Sequence, residues 1–182
     1  QAGSFGLLSA ISFNGNKIIT SGGGGAIATN NKAIGEKAKY LTTTAKVPHA
    51  WDYFHDELGY NYRMPNLNAA LLCGQLENLD SFIKSKRELA EAYTSFFAGK
   101  GIKFRVEPSE TKANYWLMCV ELESEKDRDA FLRETNEQKV MTRPIWKLIC
   151  DLPMYTYCQT DALLNARFLE KRIVNIPSSV RF

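Results

Sequence analysis

Short apolar runs separated by turn-forming residues make up the first 30 positions of the sequence. Residues 7–13 and 26–29 have the composition of strands. Asn14-Gly15 lies between the first run and the apolar residues 18–20, which predicts a tight hairpin turn at this dipeptide. Four glycines at positions 22–25 then allow backbone angles that side chains forbid. We therefore expect a strand, a hairpin and further extended chain.

Helical spacing begins after this region. Ile34, Ala38 and Leu41 recur at intervals of four and three residues, which predicts a helix capped by Asn30 or Asn31. Residues 42–64 have weak periodicity and several aromatic side chains. A loop of this length inside a folded protein is usually functional.

A long helix is predicted next. Pro65 suits a first helical turn, and the apolar positions that follow repeat at intervals of three, four or seven. One continuous helix ending near Gly99 or Gly101 is the interpretation that fits this repeat.

The last third of the sequence alternates between strand and helix signals. We expect extended chain at 115–122, a helix that starts at Ser124, and a short strand at 140–142. A helix over 161–171, capped by Thr160, and extended chain at 173–177 complete the pattern. This order predicts a small α/β or α+β layer.

The chain is therefore expected to divide into three regions. Residues 1–64 form part of a sheet with its loops, residues 65–101 form the connecting helix, and residues 102–182 form a small α/β domain. The first predicted strand has no preceding structure to pair with. We expect a chain that begins in the middle of a fold.

Composition excludes several classes of protein. The 45% hydrophobic and 24% charged content is that of a folded domain, and no apolar run is long enough for a transmembrane helix. The 23 basic and 20 acidic residues are interspersed, which does not favour nucleic acid as a partner. Without a signal-peptide pattern, a cytoplasmic location is expected. The cysteines form no C-x-x-C pair and the two histidines lack metal-site spacing, so no metal is expected.

Candidate functional residues lie in the segment Ser12-Phe13-Asn14-Gly15-Asn16-Lys17, which several glycines follow. Three further segments accompany it in order: Gly59-Tyr60-Asn61-Tyr62-Arg63-Met64, Asn66-Leu67-Asn68-Ala69-Ala70, and Asn175-Ile176-Pro177-Ser178-Ser179. Together they resemble the cofactor-lysine region of the DegT-type sugar aminotransferases, which have the aspartate aminotransferase fold. The resemblance spans nearly the whole chain, and it implies a remnant of the large-domain sheet, the long helix and the small C-terminal domain of that fold.

The resemblance implies that Lys17 binds pyridoxal phosphate covalently and moves a proton between the amino donor and the cofactor. Such a lysine must lose its own proton near neutral pH. By the same resemblance Ser12 bonds the cofactor phosphate, and Asn61 reaches that phosphate from the other subunit of a dimer. Without the motif, Lys17 is a solvated surface charge, Ser12 a strand-end hydroxyl that satisfies the local backbone, and Asn61 a turn residue.

Three residues are candidates for the substrate. Arg63 could serve a substrate diphosphate or pair with a structural carboxylate. Arg143 and Trp146 fall where related enzymes place groups near the substrate sugar. The implied reaction moves an amino group, usually from glutamate, onto a nucleotide-linked keto sugar in amino-sugar and surface-glycan biosynthesis.

The sequence also predicts that this chain alone is incomplete. In the family, the aspartate that pairs with the pyridine nitrogen and the aromatic that stacks on the ring precede the lysine, and only sixteen residues precede Lys17. We therefore expect the isolated chain to lack useful activity, to bind the cofactor weakly or not at all, and to form a homodimer or oligomer. The alternatives are a non-catalytic dimerising module from a truncated gene and one half of a split enzyme.

Overall fold

The computed structural model describes residues 2–181 and mixes helices with antiparallel sheets, so the predicted α/β class is confirmed. The chain divides into two compact units, Gln1–Asp80 and Ser81–Phe182, which are described separately below. No helix within residues 2–181 combines the length and the apolar character needed to span a membrane.

A two-stranded ribbon organises the first unit. Strand β1, Ser9–Ser12, pairs antiparallel with β2, Gly25–Ala28, so that Ser12 lies opposite Gly25. The expected tight hairpin at Asn14-Gly15 is therefore wrong, and residues 18–20 form no strand. Ile19 is buried instead, which holds this stretch in a loop between the two strands.

Helix α1, Lys32–Thr42, follows the ribbon. Asn31 caps it, because its side-chain oxygen accepts a hydrogen bond from the Ile34 N–H at 3.1 Å. This confirms Asn31, one of the two capping residues predicted from the sequence.

The long helix is interrupted. Helix α2 spans Asn66–Glu77 and helix α3 spans Leu79–Phe97, with Asn78 between them at φ −101° and ψ 0°. The Asn78 side chain donates to the Gly74 carbonyl at 2.8 Å, in place of continuing backbone bonds. A single continuous helix was thus the wrong expectation, although α3 does end two residues before Gly99.

A four-stranded antiparallel sheet organises the second unit. Its strands are β3, Lys103–Phe104; β4, Met118–Glu121; β5, Arg143–Pro144; and β6, Ile173–Ile176, in the spatial order β3-β4-β6-β5. The strand expected at 140–142 lies slightly later in the chain. Its last residue, Thr142, is buried and bonds to side chains of the preceding helix rather than to the sheet.

Two helices accompany this sheet. Helix α4, Glu125–Glu137, begins at Ser124, whose hydroxyl accepts from the Asp127 N–H at 3.2 Å as the sequence predicted. Helix α5, Leu164–Glu170, begins later than expected, after Leu163 in a left-handed conformation at φ 49°. The expected Thr160 cap is wrong. Two single-turn 3₁₀ helices, Ile149–Asp151 and Pro153–Tyr155, lie between β5 and α5.

The hydrophobic core of the second unit lies between α3 and one face of the sheet. Alternation in β4 directs Met118 and Val120 into this core, while Cys119 and Glu121 point to the other face. Val174 lies directly opposite Val120, and Leu89 of α3 packs in the same cluster. At roughly 1.5–3 kcal/mol for each fully buried large apolar side chain, these contacts dominate the stability of the unit.

Candidate functional site

The candidate site is built on the loop between β1 and β2, residues 13–24. The hydrogen bonding between β1 and β2 continues by one residue pair into this loop, because the Phe13 N–H donates to the Gly24 carbonyl at 3.0 Å. A turn follows at once, closed by the Lys17 N–H on the Asn14 carbonyl at 3.0 Å. The chain then returns, and the Ser21 N–H bonds to the Phe13 carbonyl at 3.1 Å. The loop is therefore a closed, hydrogen-bonded structure.

Two side chains of helix α2 form hydrogen bonds with the backbone of this loop. The Asn68 side-chain amide donates to the carbonyl of Ser21, which is fully buried, and the Gln75 side-chain oxygen accepts from the Thr20 N–H at 3.4 Å. Each bond joins residues about fifty positions apart in the chain. The loop geometry thus depends on the sequence Asn66–Glu77 as much as on its own residues.

Ser12 and Lys17 lie at the start of the loop, five residues apart in the chain. Lys17 is half-buried in the turn, and Ser12 is the exposed last residue of β1. The Ser12 hydroxyl oxygen accepts from the Asn14 N–H at 3.3 Å, which is the local backbone contact expected of a strand-end serine. That contact uses an acceptor lone pair and leaves the hydroxyl proton able to donate.

The loop has room for a cofactor beside it. A Cβ built on Gly15 or on Gly23 would have no atom within 4 Å, so the backbone there is open to an approaching group. Gly25 is different, because a Cβ would lie 2.4 Å from the Ile11 carbonyl oxygen and only glycine fits. The loop supplies an amine and a hydroxyl, which fit an aldehyde and a phosphate. Residues 13–24 contain no carboxylate, so they offer no partner for a pyridine nitrogen.

Asn61 lies on a separate extended segment that pairs with the end of α1. Thr43 and Asn61 form an isolated bridge, and the Tyr62 N–H bonds to the Thr42 carbonyl at 2.9 Å. Tyr60 and Tyr62 stack on each other at 5.1 Å between ring centroids. The Asn61 side chain is exposed and bonds to no other side chain or backbone group within residues 2–181. The turn at Gly59 requires glycine, since a Cβ would lie 2.4 Å from the Thr44 carbonyl carbon.

Arg63 follows on the same segment. No carboxylate of residues 2–181 lies within ion-pair distance of it, so the structural pairing considered from the sequence is absent from the described chain. Arg63 instead lines a pocket together with the glycines that follow the Lys17 loop.

Arg143 and Trp146 belong to the second unit and make different contacts there. Arg143 pairs across the sheet with Asn175 and shares its face with Cys119. Trp146 is exposed and stacks on Trp116 at 6.3 Å between ring centroids. The two residues are close in sequence but are not joined by a contact.

Two side chains of the second unit, Lys86 and Glu107, have pKa values shifted by structural contacts. Burial lowers the pKa of Lys86, whose ammonium donates to the carbonyls of Trp116 and Ser178. Two hydrogen bonds from the Arg87 guanidinium, at 2.6 and 3.1 Å, lower the pKa of Glu107 to about 2, and the Ala113 N–H adds to the effect. These groups tie α3 to the loops around it.

The first unit has little core of its own. Within residues 2–80 the buried hydrophobic side chains are Ile19 and Ala45. Large apolar side chains are exposed ahead of β1, in residues 42–64 and in α2, among them Phe5 at 91%, Trp51 at 80% and Leu67 at 86%. An exposed apolar surface of this kind is typical of an interaction surface.

Sequence reasoning missed Lys39 and the role of Asn68. Lys39 lines the same pocket as Arg63, on the face of α1 formed by Gly35, Ala38 and Thr42. The spacing of these small residues at i, i+3 and i+7 is the signal that could have indicated a helix face closely approached by a pocket. Asn68 lay in a recognised segment, but nothing in the sequence indicates that it fastens the Lys17 loop.

Comparison with known proteins agrees with this geometry. The model of the DegT/DnrJ/EryC1/StrS aminotransferase family matches residues 1–182. A GDP-perosamine synthase from Vibrio cholerae is 36% identical over 181 residues, which is 98% of this chain and 49% of that protein.

Solved structures show the same fold. The Helicobacter pylori aminotransferase PseC, involved in the biosynthesis of pseudoaminic acid, superposes with a TM-score of 0.90 at 21% identity, over 98% of this chain and 50% of PseC. A sugar aminotransferase from Streptococcus pneumoniae in its PLP-form superposes with a TM-score of 0.84 at 21% identity, over all of this chain and 49% of that one.

Two statements follow from these matches. The chain spans about half the length of the relatives it matches. Aminotransferases of this family use pyridoxal phosphate. The match over residues 1–182 and the fold likeness agree with the motif around Lys17, and the chain belongs to the DegT/DnrJ/EryC1/StrS aminotransferase family.

Proposed function

We propose that this chain is the lysine-bearing part of a pyridoxal-phosphate-dependent aminotransferase that moves an amino group from glutamate to a nucleotide-linked keto sugar. The observation that carries the proposal is the family match over the whole chain, combined with Lys17 in a loop that α2 fastens. The product is an amino sugar of the kind used in surface glycans.

The residues of the loop have distinct roles in this proposal. Lys17 holds the cofactor through its side-chain amine and later moves a proton between the α carbon of the amino donor and C4′ of the cofactor. The Ser12 hydroxyl donates a hydrogen bond to the phosphate, with its acceptor side already used by the Asn14 N–H. When bound, pyridoxal phosphate supplies an electron sink that stabilises negative charge at the α carbon.

Residues 1–182 alone are proposed to be inactive. The Lys17 loop contains no carboxylate to hold the pyridine nitrogen protonated. That group and the aromatic that stacks on the ring would come from polypeptide outside these residues, since the relatives are about twice as long. We therefore expect weak cofactor binding by the isolated chain and no transfer of an amino group.

Substrate and subunit contacts complete the proposal. The exposed Asn61 amide reaches the cofactor phosphate of a second subunit, so the site is shared in a homodimer. Arg63, Arg143 and Trp146 are each candidates for contact with the nucleotide sugar. The name of the Vibrio cholerae relative supports a nucleotide-linked sugar as the substrate class.

The product of the complete reading frame tests this function. It is incubated with pyridoxal phosphate, glutamate and nucleotide-linked keto sugars, and formation of 2-oxoglutarate and of the amino sugar is followed by mass spectrometry. Lys17→Ala should abolish transfer, whereas Lys32→Ala, an exposed lysine at the start of α1, should not change it. Transfer at the wild-type rate by Lys17→Ala, or no transfer to any keto sugar, would contradict the proposal.

A second candidate function is a non-catalytic module that associates through its apolar surface. The exposed Phe5, Trp51 and Leu67 of the first unit favour it. A reading frame that starts just before Gln1 and encodes an inactive oligomer would support the module. A separate co-purifying chain that restores transfer would indicate a split enzyme.

A further inference from the structure

A buried lysine of the second unit joins two loops that are distant in the sequence. Lys86 lies on α3 and is 5% exposed. Its ammonium donates hydrogen bonds to the backbone carbonyls of Tyr115 at 3.4 Å, of Trp116 at 3.3 Å and of Ser178. These three neutral acceptors match the three donors of an ammonium group. No carboxylate of residues 2–181 forms an ion pair with Lys86.

Burial of an ammonium without a carboxylate partner is costly, because no opposite charge compensates for the lost hydration. The pKa of Lys86 is lowered by this burial. An apolar side chain of similar volume would fill the same place without the penalty. Core packing therefore does not account for a lysine here, and what the ammonium adds is a fixed position for three carbonyls.

The backbone that Lys86 holds is strained at Tyr115. The φ of Tyr115 is 47°, a left-handed conformation that is rare for a bulky residue and persists only where its surroundings impose it. The ring of Tyr115 is held as well as its carbonyl. The Glu107 N–H donates to the ring hydroxyl at 3.3 Å, and the Arg87 guanidinium lies 5.6 Å from the ring centroid. These contacts set the direction in which the chain continues to Trp116.

The closing motif, residues 175–179, reaches the same place. The Ser178 carbonyl accepts from the Lys86 ammonium, and the Ser178 hydroxyl donates to the Trp116 carbonyl at 3.2 Å. The Trp116 carbonyl thus accepts two hydrogen bonds, one from each side chain. The main chain at Trp116 is therefore fixed from two directions.

Trp116 in turn stacks on Trp146. The ring centroids are 6.3 Å apart and the ring planes differ by 28°, an arrangement typical of a favourable aromatic pair. The chain that carries Trp146 is tied to the closing motif too, because the Asn175 side-chain amide donates to the Pro144 carbonyl at 3.4 Å. Trp146 is 63% exposed, so much of its surface is available to a ligand.

We propose that Lys86 is a positioning residue for the half of the reaction that uses the nucleotide sugar. Lys86 fixes Trp116, Trp116 orients Trp146 by stacking, and Trp146 contacts the sugar. This role rests on the proposed function, in which Trp146 is a candidate for that contact. Lys86 itself touches neither substrate nor cofactor.

The two halves of the reaction separate this role from general structural support. In the product of the complete reading frame, Lys86→Met keeps the length of the side chain and removes its donors. The KM for the nucleotide-linked keto sugar should rise about two- to tenfold, as expected for a lost aromatic contact. The rate of the half-reaction with glutamate, followed by the absorbance of the cofactor, should not change. Lys84→Met, which alters an exposed lysine on the same helix, should leave both at the wild-type values.

The tryptophan stack has a spectroscopic signature that needs no turnover. Two indoles this close couple electronically and give a paired positive and negative band in circular dichroism, which Trp146→Phe identifies by its loss. Lys86→Met should lose most of this band and Lys84→Met should keep it. Ser178→Ala removes only one of the two donors on the Trp116 carbonyl, so it should weaken the band and raise the KM even if Lys86→Met fails to fold.

The outcomes are distinct. Equal losses in both half-reactions, or a wild-type band and KM in Ser178→Ala and in folded Lys86→Met, would overturn the positioning role. Loss of the band in a protein whose wild type transfers no amino group to any keto sugar would support the link from Lys86 to the stack and contradict the proposed function.

Discussion

Replacement of Asn68 by alanine is the perturbation that tests most sharply how the Lys17 loop is held. The Asn68 amide donates to the carbonyl of Ser21, a residue with 0% exposure. Alanine would leave that buried acceptor without its partner, at a cost of about 1–3 kcal/mol. Because the bond joins the loop to α2, the cost should fall on local opening of residues 13–24 rather than on the whole chain.

The magnitude can be stated as an exchange rate. A loss of 1–3 kcal/mol corresponds to about 5- to 150-fold faster hydrogen exchange when the loop opens locally. The Ser21 N–H, bonded to the Phe13 carbonyl, is the amide to follow, by NMR or by mass spectrometry of a peptide that covers the loop. Amides of β4 in the second unit serve as internal reference and should not change.

Two variants make this result specific. Asn68→Asp keeps the shape of the side chain but removes the donor, so it should open the loop about as much as alanine does. Asn66→Ala, an exposed position at the start of the same helix, should leave exchange at the wild-type rate. The reasoning is refuted if Asn68→Ala exchanges like the wild type, or if Asn68→Asp does.

Three further predictions concern stability and association. Glu107→Gln should flatten the fall in stability between about pH 4.5 and pH 2. The pKa of Glu107 is about 2 in the folded chain and 4.5 is its ordinary value, so the unfolded chain binds more protons in that window. The free energy of unfolding therefore decreases as the pH is lowered from 4.5 to 2. If urea titrations gave the same dependence of this free energy on pH in both proteins, that would count against the prediction. Met118→Ala should destabilise the second unit by about 2–5 kcal/mol in the same titrations, since Met118 is 1% exposed in the core, and a loss below 1 kcal/mol would be inconsistent with that packing. The exposed apolar surface of the first unit should make the chain self-associate at tens of micromolar, and a strictly monomeric mass by light scattering would argue against it.

The sequence predicted what local chemistry determines. Asn31 and Ser124 cap helices because their side-chain oxygens accept from backbone N–H groups three residues on, and such contacts can be predicted from neighbouring positions. The α/β class and the Lys17 segment likewise followed from short patterns. A few adjacent residues are enough to predict these elements.

The predictions were wrong where contacts between residues far apart in the sequence determine the local structure. Asn14-Gly15 is a strong hairpin signal, yet burial of Ile19 and the bond from Asn68 hold residues 13–24 as a wider loop. The break at Asn78 depends on a side chain that replaces backbone hydrogen bonds within a helical repeat. The separate contacts of Arg143 and Trp146 were also invisible in a sequence where they lie three residues apart.

The identity of the cofactor lysine is the central claim, and chemical trapping tests it most directly. The product of the complete reading frame is mixed with less than one equivalent of pyridoxal phosphate and reduced with borohydride, and the labelled lysines are mapped by mass spectrometry. Lys17 should be labelled ahead of the more exposed Lys32 and Lys84, and Ser12→Ala should reduce that preference. Labelling distributed over the lysines according to exposure, with no preference for Lys17, would contradict the account.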